Sequence, residues 1–265
     1  MKYLDKIHSP KDLKKIPVSE LNEVCNELRH YIIDTINKIG GHLAPTLGTI
    51  ELTTAVHYVF NAPKDKIVWD TGHQAYAHKV LTGRFSEFHT IRKYKGLSGF
   101  LKRSESEYDI FGAGHASTSI SAALGIASAR NLNNENYKVV SIIGDGALSG
   151  GLAFEALNNA GNVRKQLLVI VNDNDMSISP NLGAFRNYLV KIATNRKYNK
   201  IRKLIYHTIK KFPSKLFVNI LRKTEASAKK FFFPTTIFED LGFRYFGPID
   251  GHNIEELVDV LDKIK

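Results

Sequence analysis

Lys138-Val-Val-Ser-Ile-Ile-Gly-Asp-Gly-Ala-Leu-Ser-Gly-Gly151, read with Gln166-Leu-Leu-Val-Ile-Val171 and the Asn172-Asp173-Asn174 that follows, decides the fold of this chain. Both apolar runs are rich in β-branched residues and short enough to be strands. The intervening stretch from Gly151 to Asn159 carries helical spacing, so the order reads strand, helix, strand. A unit of that kind makes a right-handed crossover in a parallel sheet and leaves both strand C-termini on one edge. The expected class is therefore α/β, a mostly parallel sheet flanked by helices, with ligands bound at that edge.

Working outward, Leu21, Val24, Leu28, Ile32 and Ile36 recur at three- and four-residue steps, predicting an amphipathic helix over Val18 to Ile39 that Gly40 and Gly41 end. A second helix is expected from Thr49 to Phe60, a strand from Lys66 to Asp70, and a small-residue helix from Ser117 to Arg130. Gly125 in that helix is expected where a neighbour packs closely. Near the end, a strand is expected at Arg244 to Phe246. Asn253 then reads as an N-cap, with Glu256 at the capping-box position, for a last helix through Leu257, Val258, Leu261 and Ile264.

Composition narrows the class. With 265 residues and 43% hydrophobic content the chain can bury a sizeable core. No apolar run approaches the roughly 18 residues that a membrane helix needs, and the charged start lacks an apolar secretory stretch, so a cytoplasmic location is expected. The single Cys25 fits a reducing compartment and reads as a helix-face residue rather than a nucleophile. The net charge of +11 is concentrated between Arg186 and Lys230, where 14 Lys/Arg stand against one acidic residue, Glu225. That segment alone exceeds the whole-chain excess, so the rest is nearly neutral. Residues 185–233 are expected to be an insertion or mobile cover with a solvated basic surface. Attraction of anionic substrates, or weak nucleic-acid binding, is the alternative, and nucleic acid is not favoured.

Gly144-Asp145-Gly146 directly after one strand, and Asn174 directly after the next, are neighbours in space if the crossover forms. One carboxylate and one amide oxygen suit a hard cation that also bridges the oxygens of a diphosphate. The flanking glycines let the backbone approach such an anion. Neither Gly144-x-Gly146 nor Gly112-Ala113-Gly114 continues into a dinucleotide fingerprint, and no P-loop sequence is present. The spacing of His73 and His78 does not argue for zinc, because no third soft ligand lies nearby.

These blocks resemble the 1-deoxy-D-xylulose-5-phosphate synthase family of transketolase-like, thiamine-diphosphate-dependent enzymes. The resemblance runs through Gly41-His42-Leu-Ala-Pro-Thr-Leu-Gly-Thr-Ile-Glu-Leu52, Trp69-Asp-Thr-Gly-His-Gln-Ala-Tyr-Ala-His-Lys79 and Arg103-Ser-Glu-Ser-Glu-Tyr-Asp109. It continues in Gly114-His-Ala-Ser-Thr118, Asn172-Asp-Asn-Asp-Met-Ser177 and Asp250-Gly-His252. It implies that Asp145, Asn174 and the carbonyl of Met176 bind Mg²⁺. His73, Gly114, His115, Ala116, Gly146, Ala147, Asn174 and His252 are implied to contact thiamine diphosphate or its surroundings. His42 is implied to be the catalytic histidine that handles protons.

The implied reaction condenses pyruvate with glyceraldehyde 3-phosphate, with loss of CO₂, to a precursor of isoprenoids and thiamine. The resemblance places the activating glutamate in a pyrimidine-binding domain outside these 265 residues, so residues 1–265 are expected to be the diphosphate-binding domain alone. Completion by a homodimer, by a separate chain carrying the pyrimidine-binding domain, or by both is expected. A split transketolase subunit and a non-catalytic remnant that binds cofactor or partner remain open on sequence.

Overall fold

A computed structural model describes residues 1–163, 166–173 and 237–265, for His73 the backbone only. The chain divides into two compact units, Met1–Pro180 with Ile249–Lys265, and Asn181–Pro248. The expected basic cover at 185–233 lies outside the described residues, as do Asn174 and Met176.

Before residue 174 the described α-helices are α1 (Pro10–Leu13), α2 (Leu21–Ile39), α3 (Ala44–Leu47), α4 (Ile50–Val59), α5 (Tyr76–Lys79), α6 (Ser119–Leu132), α7 (Asp145–Leu148) and α8 (Gly151–Val163). The described strands are β1 (Lys66–Trp69), β2 (Val139–Gly144) and β3 (Leu168–Asn172), parallel and in the order β1-β2-β3. The register pairs Trp69 with Ile142 and Gly144 with Asn172. The strand-helix-strand expectation is met by β2, α8 and β3. β3 begins at Leu168 rather than Gln166 because the Gln166 carbonyl accepts from Arg130 Nη1 (3.1 Å) instead of entering the ladder.

β2 is buried along its whole length, which is why it reads as an unbroken apolar run. Alternate residues serve opposite faces. Val139 joins Val68, Ala123 and Ala127 under α6, while Val140 and Ile142 join Ile67, Trp69 and the helices of the larger core. Ser141 points to the α6 face and satisfies its hydroxyl on Ser119 Oγ (2.9 Å). α2 buries Leu21, Val24, Cys25, Leu28, Ile32 and Ile36, the stripe expected from spacing, and Gly40 ends it with φ 77°. Each such fully buried Leu or Ile contributes roughly 1.5–3 kcal/mol. Burial also pushes the Cys25 thiol up to about 12, which makes it an inert core residue.

Two expectations need correction. A Cβ built on Gly125 meets nothing within 4 Å, so no neighbour demands that glycine. No strand forms at Arg244 to Phe246. In the second unit a short helix, α9 (Ile237–Asp240), is followed by Gly242 at φ 93°. Tyr245 then stacks on Phe238 (5.8 Å between centroids) and Arg244 lies over Phe246. The alternating residues thus find partners within the turn, and no described strand lies beside them.

The last helix, α10 (Ile254–Ile264), starts as expected: Asn253 Oδ1 accepts the Glu256 N–H (3.1 Å), and Ile254, Leu257, Val258 and Leu261 are buried. Asn253→Ala is expected to lower the unfolding free energy by about 1 kcal/mol, and Asn253→Gly by only a few tenths, in urea denaturation followed by circular dichroism.

Candidate functional site

All three described strands run straight into a carboxylate at the same edge of the sheet: Asp70 after β1, Asp145 after β2 and Asp173 after β3. Asp70, which sequence reading quoted without a role, is fully buried. Its Oδ1 accepts the Ser117 N–H (2.7 Å) and its Oδ2 the Ser119 N–H (3.0 Å). A carboxylate there also meets the positive end of the α6 dipole. The α6 N-terminus is therefore filled by a protein anion, and the 114–117 turn hangs from it. A strand-end acidic residue, the same cue that exposed Asp145, was the signal for Asp70.

Ser117 adopts φ 72° and donates its hydroxyl to the Ala147 carbonyl (2.6 Å). This bond brings the turn carrying Gly114, His115 and Ala116 against the one carrying Gly146 and Ala147. Gly150 is required by the same contact, since a Cβ there would lie 2.2 Å from Ser117 Oγ. Gly114 and Gly151 differ: a Cβ at either meets nothing within 4 Å. Among the described residues, therefore, open space lies beside both turns.

On the β1 side, the Gly72–Gln74 turn carries His73. The Gln74 side chain is buried against Gly144, where a Cβ would lie 3.0 Å from Gln74 Nε2. Thr49 Oγ1 donates to the Gln74 carbonyl (2.9 Å), and a Cβ at Gly41 would lie 3.2 Å from Tyr76 Oη. The segment from Gly41 through α3 to Thr49, with the exposed His42, is thereby laid alongside the His73 turn. Among the described residues, buried Gln74 Oε1, Tyr76 Oη and Asn172 Nδ2 have no hydrogen-bond partner, so this edge holds polar atoms a ligand would satisfy.

His252 is held by α4. Its Nδ1 lies 3.0 Å from Glu51 Oε2, and Glu51 also pairs with Arg29. Among the described residues no group of three or more His, Cys, Asp or Glu forms a metal cluster, and the partners expected for Asp145, Asn174 and Met176, lie outside them.

Sequence reading also missed a buried polar chain behind the His73 turn. His57 Nε2 lies 2.9 Å from His78 Nδ1, and His78 Nε2 lies 3.2 Å from Asp109 Oδ1. Arg84 grips Asp109 with both terminal nitrogens (2.8 and 2.9 Å), and Arg84 and Lys79 share Glu105. The carboxylate makes His78 Nε2 a donor; His78 Nδ1 then accepts from His57 Nε2, leaving His57 Nδ1 as the unpartnered acceptor. Two cations and two anions balance only while both histidines are neutral. Burial lowers both pKa values, that of His57 well below the ordinary 6.5 with help from His78. Burial alone would raise the Asp109 carboxyl, but the hydrogen bonds from His78 and Arg84 win and hold it below the carboxylate range.

A model for 1-deoxy-D-xylulose-5-phosphate synthase matches residues 4–265. The chain belongs to the 1-deoxy-D-xylulose-5-phosphate synthase family. The synthase of Alkaliphilus oremlandii is 53% identical over 266 residues, covering 100% of this chain and 43% of that protein. That of Carboxydothermus hydrogenoformans is 55% identical over 264 residues, covering 99% of this chain and 42% of its own length. The chain thus spans about two-fifths of the synthases it matches. Among solved structures, a transketolase mutant from Pichia stipitis superposes with a TM-score of 0.64 at 15% identity, over 94% of this chain and 35% of that one. Pichia stipitis transketolase in complex with sedoheptulose 7-phosphate gives the same score and identity over 92% and 34%. The fold of this synthase-family chain is accordingly the α/β type of transketolase.

The histidine pair yields a pH test. A base whose pKa is lower folded than unfolded takes up its proton preferentially in the unfolded chain. Stability is therefore complete above pH 6.5 and lost as pH falls from there toward the folded values. Urea unfolding from pH 7.5 down to 5 should show this decline, and His57→Phe should reduce its slope whatever its effect at pH 7.5. An unchanged slope would assign the decline to other groups.

Proposed function

We propose that this chain is the diphosphate- and Mg²⁺-binding side of a thiamine-diphosphate-dependent synthase. The reaction condenses pyruvate with glyceraldehyde 3-phosphate to 1-deoxy-D-xylulose 5-phosphate, with release of CO₂. Membership of the synthase family supports this reading. The observation that carries it is the Ser117–Ala147 bond, which joins the Gly114–Ala116 turn to the Gly146–Ala147 turn beside open space at Gly114 and Gly151.

The residues fit the group. Asp145, with Asn174 and the carbonyl of Met176, would supply the oxygen donors that Mg²⁺ takes beside an anionic diphosphate. Gly114, His115, Ala116, Gly146, Ala147 and His73 line the diphosphate side. Thiamine diphosphate, when bound, supplies the electron sink for decarboxylation and carbon–carbon bond formation. The chain's own contribution is to hold that group and to move protons. His42, exposed on a segment braced by Tyr76 and Gln74, holds the proton that the reacting oxygen exchanges, since an imidazole can both give and take a proton. His252, bonded to Glu51, borders the substrate entrance. The chain works as a homodimer, with a separate chain that carries the pyrimidine-binding domain, or as both. The assembly works in the cytoplasm; among the described residues no helix is long and apolar enough to cross a membrane.

Isothermal calorimetry of this chain with thiamine diphosphate should show binding that depends on Mg²⁺. Asp145→Ala should weaken it roughly 10- to 100-fold, as loss of metal-site groups generally does. Binding indifferent to Mg²⁺, or unaffected by Asp145→Ala, contradicts the assignment.

A further inference from the structure

Glu105 and Asp109 lie in none of the strand-end turns, yet both turns on the β1 side of the site are hung from them. Each carboxylate faces two ways. Inward, Glu105 Oε1 accepts from Lys79 and from Arg84 Nη1 (2.9 Å), and Asp109 accepts from both terminal nitrogens of Arg84 and faces His78. Outward, Glu105 Oε2 accepts the Ser98 N–H (2.7 Å) and Asp109 Oδ2 accepts the Lys102 N–H (3.0 Å). The backbone from Ser98 to Lys102 is thus pinned at both ends to ion-paired carboxylates, half-buried Glu105 and buried Asp109.

Leu101, within this pinned segment, meets both turns. A Cβ at Gly72 would lie 2.9 Å from Leu101 N and from Phe100 Cα, so the turn that carries His73 is seated directly on the segment. Leu101 O accepts the Ala113 N–H (3.4 Å), immediately before Gly114. Where residues 98–102 sit therefore bears on both turns, alongside the Asp70 bonds to Ser117 and Ser119 that tie the second turn to the end of β1. The position of residues 98–102 is set by the two carboxylates.

We infer that Glu105 and Asp109, held by Lys79 and Arg84, are positioning residues that fix the His73 turn relative to the Gly114–Ala116 turn. This rests on the cofactor reading only in taking those turns as contacts for an anionic cofactor. An ionised carboxylate is needed because in Glu105 one oxygen serves the cations and the other the backbone, while Asp109 Oδ2 serves Arg84 and the Lys102 N–H together. A glutamine at 105 has a single acceptor oxygen and must abandon one side. A global scaffold role would loosen the whole unit; a positioning role loosens the two turns and spares the sheet.

Hydrogen–deuterium exchange on the full chain separates these roles, comparing wild type with Glu105→Gln and Ser98→Pro. The second variant deletes the donated N–H, together with the Ser98 Oγ that accepts the Phe100 N–H (3.3 Å), and leaves the ion pairs of Glu105 and Asp109 in place, so it decides the matter if Glu105→Gln does not fold. Amides of Gln74, Ala75 and Ala113 should exchange roughly tenfold faster or more, with β2 amides from Val140 to Ile143 unchanged. Where the wild type binds thiamine diphosphate with Mg²⁺, its affinity should fall roughly tenfold in the same variants. Unchanged protection at the two turns, or equal loss across β2, overturns the inference. Failure of the wild type to bind thiamine diphosphate overturns the cofactor reading and leaves the exchange result to judge the positioning role by itself.

Discussion

The parallel pairing of three strands that each end in a carboxylate constrains everything else at this edge. Negative charges gathered at one edge of a low-dielectric sheet repel one another, and folding has to neutralise them. Asp70 is neutralised internally, by two backbone N–H groups and the α6 dipole. Neutralising it orders the 114–117 turn, because the donors are that turn's own amides. Asp145 and Asp173 stand at the mouths of the neighbouring strands. One electrostatic demand therefore builds a loop.

The buried chain from His57 to Lys79 shows the same logic inside the core. Charged groups are expensive to bury and are retained only when fully paired. Here the pairing leaves Glu105 Oε2 and Asp109 Oδ2 able to accept backbone N–H groups, so an irregular segment without a strand or helix of its own acquires fixed anchors. Its order derives from side-chain acceptors instead of a ladder. Gly83 at φ 92° helps by turning the chain after Thr82, which brings Arg84 back toward Asp109.

Much of this was legible in the residues. Local periodicity carried α2, α8 and the β2–β3 pair, because a buried stripe or strand writes its contacts into nearby positions. The N-cap at Asn253 was readable for the same reason. Asp145 was visible because it breaks a glycine turn directly after an apolar run. Asp70 stands in the same relation to β1, but its significance depends on Ser117 and Ser119, far away in sequence. The His57–His78–Asp109–Arg84 chain was invisible because no spacing rule links its members: α4, α5 and two loops supply them, and only tertiary packing brings them together. Arg244 to Phe246 misled because aromatic alternation is equally well used by stacking within a turn.

Ser117 and Gly150 fit each other as tooth and notch. A side chain at 150 has no place while a hydroxymethyl group occupies 117, and trimming 117 to glycine would clear the space but surrender the bond to Ala147. The two loops therefore cannot drift independently over evolutionary time. What one permits is dictated by the other, and the pair behaves as a single inherited unit spanning two crossovers of the sheet.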